Sequence, residues 1–207
     1  MAPDTQFVHF LQQECTRLQD ENKLLLDEVR ALRRYITALR DLQETVQNFT
    51  PEKEILALLD DTLMCALTLM DATDGSLMLI DEETDELVFV LVHGAAGETL
   101  VGHRFDRREG IAGWAAEHIE PVIVDNVYTD PRFYSQVDEF SGFQTQSIIA
   151  VPLAARGRVL GIIEVVNKRS GKPFNEEDAC LLSILATLSA SALDYAASME
   201  AEEETGE

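Results

Sequence analysis

Residues 147–178 read SIIAVPLAARGRVLGIIEVVNKRSGKPFNEED, and this stretch decides the fold. Two apolar runs within it are separated by Arg156-Gly157-Arg158, which is typical of an antiparallel hairpin closed by a tight turn. The second run ends at Asn167-Lys168, and Asn175 then stands where an N-cap precedes three acidic residues that favour a helix N-terminus. The stretch therefore predicts a strand, a strand and a helix, in that order.

A second hairpin is expected upstream, with strands at 76–80 and 87–92 around the turn 81–86. Both strands are apolar at consecutive positions, so both faces of the sheet should be covered. The remaining expected elements are a helix from an N-cap at Thr50 to about Met70, a strand at Gly102–Phe105, a helix at Ile111–His118, a strand at Pro121–Val124, an irregular stretch at Tyr128–Phe140, and a last helix from Asn175 to about Met199.

Composition limits the partners that this protein can have. The 207 residues include 16 basic and 38 acidic side chains, which gives a formal net charge of −22. Because such a charge repels phosphate backbones and anionic lipids, we expect no nucleic-acid and no membrane partner. The apolar runs are too short to span a bilayer, and the N-terminus lacks a basic, apolar signal segment. A cytoplasmic protein is therefore expected.

Cysteines and histidines give no indication of a metal site. Cys15, Cys65 and Cys180 are widely spaced, and the four histidines include no i, i+4 pair. We expect buried, reduced thiols and no bound metal. The sequence also contains no nucleophile–base pattern and no phosphate-binding loop in a suitable context, so no enzymatic activity is expected.

Residues 1–49 differ from the rest of the chain, because 7–49 contain no Gly or Pro and repeat apolar residues every 3.5 positions. All six d positions of the heptad are apolar, namely Leu11, Leu18, Leu25, Leu32, Leu39 and Val46. Asn22 occupies an a position, where a buried Asn pair selects a parallel dimer. The repeat thus predicts a homodimer through a parallel coiled coil. The alternative is a single long helix packed on its own domain.

Residues from roughly 50 to 197 resemble a GAF domain. The matching blocks are GIAGW at 110–114, Asp125, DPRF at 130–133, SGFQT at 141–145, VPL at 151–153, Gly161 and NK at 167–168. The resemblance implies an α+β fold with a six-stranded antiparallel sheet and helices on both faces, preceded here by the long coiled-coil helix. It places the GAF domain at 50–199 and leaves 200–207 as an acidic tail.

The chain also resembles the cyclic-nucleotide-binding GAF domains of phosphodiesterases and cyclases. In these an Asn-Lys, Phe and Asp-Glu motif follows the last strand; Asn167, Lys168, Phe174 and Asp178 match, and Ala179 replaces the Glu. The resemblance implies a ligand site formed by Ser76, His93, Ile111, Ala112, Tyr134, Asp138, Ser141, Thr145 and Glu164. His93 stands where guanine-selective members carry an acid, so an adenine ligand is favoured over guanine.

Glu164 and the Asn-Lys motif each allow more than one interpretation. An acid inside the run GIIEVV is costly to bury, so Glu164 should meet either a polar ligand or a partner such as Thr145 or Arg104. We interpret Asn167, Lys168, Phe174 and Asp178 as a structural clasp, with a Lys168–Asp178 ion pair, in preference to ligand contacts.

The sequence therefore predicts a non-enzymatic sensory domain that dimerises and binds a small molecule, with a cyclic nucleotide as the candidate. The alternative function is a ligand-free dimerisation scaffold that recruits a protein signalling partner.

Overall fold

The computed structural model describes residues 3–47 and 51–205. The chain divides into two compact units, residues 1–43 and 44–207. The expected N-cap at Thr50 lies outside the described residues.

A single long helix, α1 (Pro3–Gln47), accounts for the first unit. The d-position side chains that the structure describes are about half exposed, with Leu11 at 48%, Leu18 and Leu25 at 53% and Leu32 at 51%. Asn22 is exposed as well. The side chains of Leu39, Gln43 and Val46 lie outside the described residues, and the coiled coil stays a prediction.

The second unit is built on one six-stranded antiparallel sheet. The strands are β1 (Asp74–Asp81), β2 (Glu86–His93), β3 (Arg104–Asp106), β4 (Val122–Val124), β5 (Ile148–Ala155) and β6 (Arg158–Val166), in the order β3-β2-β1-β6-β5-β4. The neighbours β1 and β6 are far apart in sequence but adjacent at the centre of the sheet, where Ser76 pairs with Glu164. The opening stretch forms the predicted hairpin, with Ala155 opposite Arg158.

Helices cover both faces of this sheet, and the α+β fold implied by the GAF resemblance is confirmed. They are α2 (Pro51–Leu69), α3 (Gly97–Leu100), α4 (Gly110–His118), α5 (Gln136–Ser141) and α6 (Glu176–Thr205). Since strand side chains alternate, Met78 and Ile162 join the apolar cluster that contains α4, whereas Leu77 and Ile163 point to the other face. On that other face α2 and α6 pack against the sheet and against each other.

Helix α6 also contains the one described segment with the length and composition of a membrane span. This segment is Glu176–Ser198, and 39% of its most apolar window is buried. Leu182, Leu185 and Ala190 are at most 1% exposed, and α6 packs on β5. Packing against the sheet therefore explains why this helix is apolar.

Several expected boundaries need correction. The stretch 128–140 is not wholly irregular, since it contains most of α5 and most of a 3-10 turn at Val127–Thr129. Helix α6 continues to Thr205, past its expected end at Met199, because Glu and Ala favour helix. Strand β3 begins two residues later than predicted. Strand β2 alternates between buried and half-buried residues at its start, because α6 packs mainly on β5 and α2 mainly on β1.

The expectation of buried thiols was also wrong. Cys15 and Cys180 are exposed, and Cys65 is half-buried. Each of the three lies on a helix, where its position in the helical repeat and not its polarity decides its exposure.

Candidate ligand-binding site

A cavity of about 90 Å³ lies between the sheet and the short helices on the α4 face. All nine residues proposed for a ligand site line it: Ser76, His93, Ile111, Ala112, Tyr134, Asp138, Ser141, Thr145 and Glu164. They come from β1, β2, α4, β6 and the segment between the 3-10 turn and β5. The sheet forms the floor of the cavity, and residues 133–145 form its roof.

Glu164 is the chemically unusual group of the floor. It lies in the central strand β6 and is 8% exposed, and its Oε2 accepts a long hydrogen bond of 3.4 Å from Ser76 Oγ. Burial raises the pKa of the Glu164 carboxyl to about 7, and the Ser76 hydrogen bond opposes this rise. We call Ser76 and Glu164 the cavity corner.

The partners predicted for Glu164 were wrong. Thr145 donates its hydroxyl to Asp138 Oδ1 at 2.8 Å, and Arg104 forms ion pairs with Asp81 and Glu86. Ser76 takes their place because the β1–β6 register sets it directly opposite Glu164.

The N-terminus of α4 contributes residues with backbone donors to the cavity lining. Ile111 and Ala112 lie in its first turn, are 3% and 4% exposed, and line the cavity. First-turn N–H groups have no partner within their own helix. The N-cap residue Glu109 makes no side-chain hydrogen bond to them. Buried amide donors at a helix N-terminus suit an anion such as a phosphate.

The roof is held together by its own polar groups. Asp138 of α5 accepts from both the backbone N–H and the hydroxyl of Thr145, each at 2.8 Å. Ser141 donates its hydroxyl to the Val137 carbonyl at 2.9 Å. Tyr134 donates its hydroxyl to Gln136, and its ring stacks on Phe105 with centroids 5.9 Å apart. These hydrogen bonds connect the roof residues to one another, and Phe105 stacks on the Tyr134 ring.

His93 lies at the end of β2 on the cavity wall. Its Nε2 is 2.7 Å from Asp60 Oδ1 of α2, so one of its two ring nitrogens already has a partner. Only Nδ1 remains for a ligand.

The four clasp residues form a separate polar cluster where β6 ends. Lys168 Nζ lies 2.5 Å from Asp178 Oδ2, and Asp178 also accepts from the Asn175 N–H at 2.8 Å. The Lys168 ammonium is 5.2 Å from the centre of the Phe174 ring, which is 4% exposed.

Asn167 contributes a different set of contacts to the clasp. Its Oδ1 accepts from the N–H groups of Gln146 and Ser147, and its Nδ2 donates to the Gln144 carbonyl. Asn167 has φ of 53°, a left-handed conformation that Asn tolerates. These bonds tie 144–147 to the end of β6.

The sequence reasoning missed several cavity residues. One of them is Asp74, whose oxygens accept from the Ala95 N–H and the Thr73 hydroxyl. Further missed lining residues are mostly apolar: Phe89, Val92, Phe105, Phe133, Val137 and Phe143. They read as ordinary core residues, and only the sheet order brings them together. Trp114 is half-buried and packs against the apolar cluster on this face, and its ring contacts both the Arg132 guanidinium and the His118 ring.

No cluster of three or more metal-ligating side chains occurs within the described part of the chain.

Comparison with known proteins identifies the family. A model of the GAF domain matches residues 54–193. The chain is 33% identical over 140 residues to the probable 3',5'-cyclic phosphodiesterase pde-5 of Caenorhabditis elegans, which covers 63% of this chain and 19% of that protein. It is 28% identical over 153 residues to the dual 3',5'-cyclic-AMP and -GMP phosphodiesterase 11A of Takifugu rubripes, covering 68% and 17% respectively. The chain thus spans less than a fifth of the length of these relatives.

Solved structures show the same fold. The GAF domain of a phosphoenolpyruvate-protein phosphotransferase from Coxiella burnetii is 20% identical, with a TM-score of 0.69 over 80% of this chain and 98% of that one. The free methionine-R-sulfoxide reductase of Neisseria meningitidis is 23% identical, with a TM-score of 0.65 over 80% and 91%. At these identities the likeness concerns the fold alone. Together with the family match, it establishes that this chain belongs to the GAF domain family.

Proposed function

We propose that this chain is a non-enzymatic regulatory GAF domain that binds a cyclic nucleotide in the cavity beneath the roof. One observation carries the proposal: the cavity lining combines two unlike polar features. Ile111 and Ala112, in the uncapped first turn of α4, and the buried carboxyl group of Glu164 all line it. The first feature suits a phosphate, and the second suits the hydrogen-bonding edge of a base.

The size of the cavity implies that binding moves the roof. Ligand pockets usually enclose roughly 300 to 1,000 Å³, and this cavity encloses about 90 Å³. Helix α5 has no fully buried residue, so its outward movement exposes little apolar surface. Such a movement is what a sensory domain needs, because it converts occupancy into a change of shape.

The relatives support the ligand class. The relative from Takifugu rubripes is named as a dual 3',5'-cyclic-AMP and -GMP phosphodiesterase, and the relative from Caenorhabditis elegans as a probable 3',5'-cyclic phosphodiesterase. We expect cyclic AMP to bind more tightly than cyclic GMP near neutral pH, because the position of His93 lacks the acid that favours guanine.

Thermal unfolding tests the proposal. The protein is first unfolded and refolded to remove any copurified ligand. Its melting temperature is then measured with cyclic AMP, cyclic GMP or adenosine. A cyclic nucleotide at about 100 times its dissociation constant should stabilise the fold by about 2.7 kcal/mol. Adenosine should stabilise less, because it lacks the phosphate that the α4 N-terminus binds. An unchanged melting temperature with millimolar cyclic AMP and cyclic GMP contradicts the proposal.

The second candidate function is a ligand-free dimerisation scaffold for a protein signalling partner, and the half-exposed leucines of α1 favour it. In both functions we propose a homodimer through a parallel coiled coil of α1. Asn22→Leu should raise the melting temperature and broaden the distribution of oligomers, because Asn at an a position trades stability for register. A monomeric wild type in light scattering at micromolar concentration contradicts the dimer.

A further inference from the structure

The cavity corner offers hydrogen bonds whose pattern depends on one proton. Glu164 receives one long bond, from Ser76 Oγ, and has capacity left for a ligand. A neutral carboxylic acid presents one donor and one acceptor, whereas a carboxylate presents acceptors only. Both states fit the same space, so protonation changes the chemistry of the corner without changing its shape.

The charged and titratable groups around Glu164 do not include a cation that would fix its charge. They are Asp74 from β1, His93 from β2, and Tyr134 and Asp138 from the roof, while α4 and β5 contribute none to the lining. None of the described lining residues is Lys or Arg. Burial without a cationic partner raises the pKa of Glu164 to about 7, so both protonation states are populated near neutral pH.

The two purines present complementary patterns to these two states. The pairing edge of adenine has an acceptor at N1 beside a donor at N6, and a neutral carboxylic acid can satisfy both. The pairing edge of guanine has donors at N1 and N2, which together suit a carboxylate. A mismatch leaves a buried donor or acceptor without a partner, and that is costly.

We propose that Glu164 is a specificity-determining residue of the cavity in addition to His93: with its proton it favours an adenine nucleotide, and without the proton it favours a guanine nucleotide. This inference rests on the proposed function, since it requires that a cyclic nucleotide enters with its base towards the corner. If Glu164 has this role, the preference of the domain for adenine or guanine nucleotides depends on pH.

Calorimetric titration with cyclic AMP and cyclic GMP at pH 6 and pH 8 tests the inference. The apparent affinity of each ligand scales with the fraction of protein in the competent state. From pH 6 to pH 8 the affinity for cyclic AMP should therefore fall about tenfold and that for cyclic GMP should rise about tenfold. Glu164→Gln keeps one donor and one acceptor at all pH values, so it should prefer cyclic AMP at both.

Two controls separate Glu164 from other groups. His93→Gln should retain the inversion, although histidine side chains also titrate near neutral pH. Glu83→Gln removes an exposed carboxylate in the β1–β2 turn and should behave as the wild type. If Glu164→Gln does not fold, the wild type still decides: cyclic AMP should take up a proton on binding at pH 8, and cyclic GMP should release one at pH 6, as measured in buffers of different ionisation enthalpy.

The outcomes are distinct. A wild-type preference that does not change with pH, an inversion that persists in Glu164→Gln, or binding without proton exchange overturns the role of Glu164 and leaves the proposed function standing. Binding of neither nucleotide at either pH overturns both.

Discussion

The clasp and the cavity corner are two polar clusters on the same strand end, and each contains a buried acid. Asp178 in the clasp is 6% exposed, and Glu164 in the corner is 8% exposed. Asp178 accepts from the Lys168 ammonium and the Asn175 N–H, whereas Glu164 has a single long bond from a hydroxyl. Because the two acids are similarly buried but differ in their partners, we assign them different roles. Asp178, which is paired, stabilises the fold, whereas Glu164 retains hydrogen-bonding capacity for a ligand.

The largest expected effect comes from breaking the clasp. Lys168→Ala leaves Asp178 as a buried charge without its ion pair and should lower the free energy of unfolding by about 3 to 5 kcal/mol. Asp178→Ala should cost a similar amount, and the double variant should cost much less than the sum. Denaturant unfolding measures all three.

Arg169→Ala is the matched control, because its ion pair with Asp71 involves side chains that are 60% and 46% exposed. It should change the free energy of unfolding by less than about 1 kcal/mol. Additive clasp variants, or a Lys168→Ala effect as small as that of Arg169→Ala, would mean that the clasp is not a coupled pair.

The next effect concerns the corner and depends on pH. The pKa of Glu164 is raised from 4.5 to about 7, so the folded state binds more protons than the unfolded state between these values. Stability from this group is fully present below pH 4.5, is lost as pH rises towards 7, and is constant above that. The loss corresponds to about 3 kcal/mol.

Glu164→Gln lacks this titration and supplies the reference. The difference in unfolding free energy between the variant and the wild type should shift in favour of the variant by about 3 kcal/mol from pH 4.5 to pH 8. Parallel stability profiles of the two proteins would show that Glu164 titrates normally, and the contrast with Asp178 would disappear.

The smallest expected effect tests whether the clasp also holds the roof segment. Asn167→Asp keeps the Oδ1 acceptor for Gln146 and Ser147 but removes the donor to the Gln144 carbonyl. It should cost about 1 kcal/mol. Asn167→Gly tolerates the left-handed backbone and loses all three bonds, so it should cost more. If Asn167→Asp is as destabilising as Asn167→Gly, the acceptor bonds contribute nothing.

Local patterns in the sequence were sufficient for the main strands and the large helices. The β5–β6 hairpin was predictable because its two strands are adjacent in sequence, so the Arg156-Gly157 turn and the apolar runs beside it are sufficient to indicate it. Helix α5 was missed because six residues are too few to show a helical period. It is held instead by the Asp138–Thr145 bonds and by Gly142, which ends it with φ of 71°.

The residues that line the cavity were easier to predict than the contacts between them. Ser76 and Glu164 are 88 positions apart and meet because β1 and β6 are neighbours in the sheet, which composition does not reveal. His93 and Asp60 are 33 positions apart and meet through the packing of α2. The GAF resemblance identified which residues share the cavity, and the register of the strands decided which of them touch.

Residues 144–147 are fastened at both ends, and this has a mechanical consequence. On one side, Asp138 of the roof accepts from the N–H of Thr145. On the other side, Asn167 at the end of β6 accepts from the N–H groups of Gln146 and Ser147 and donates to the Gln144 carbonyl. Asn167 is covalently followed by Lys168, whose ammonium is bonded to the first turn of α6. An outward movement of the roof therefore pulls on residues 144–147, which are connected to α6 through Asn167 and Lys168. We therefore expect the earliest displacement after ligand entry to occur in the first turn of this 30-residue helix.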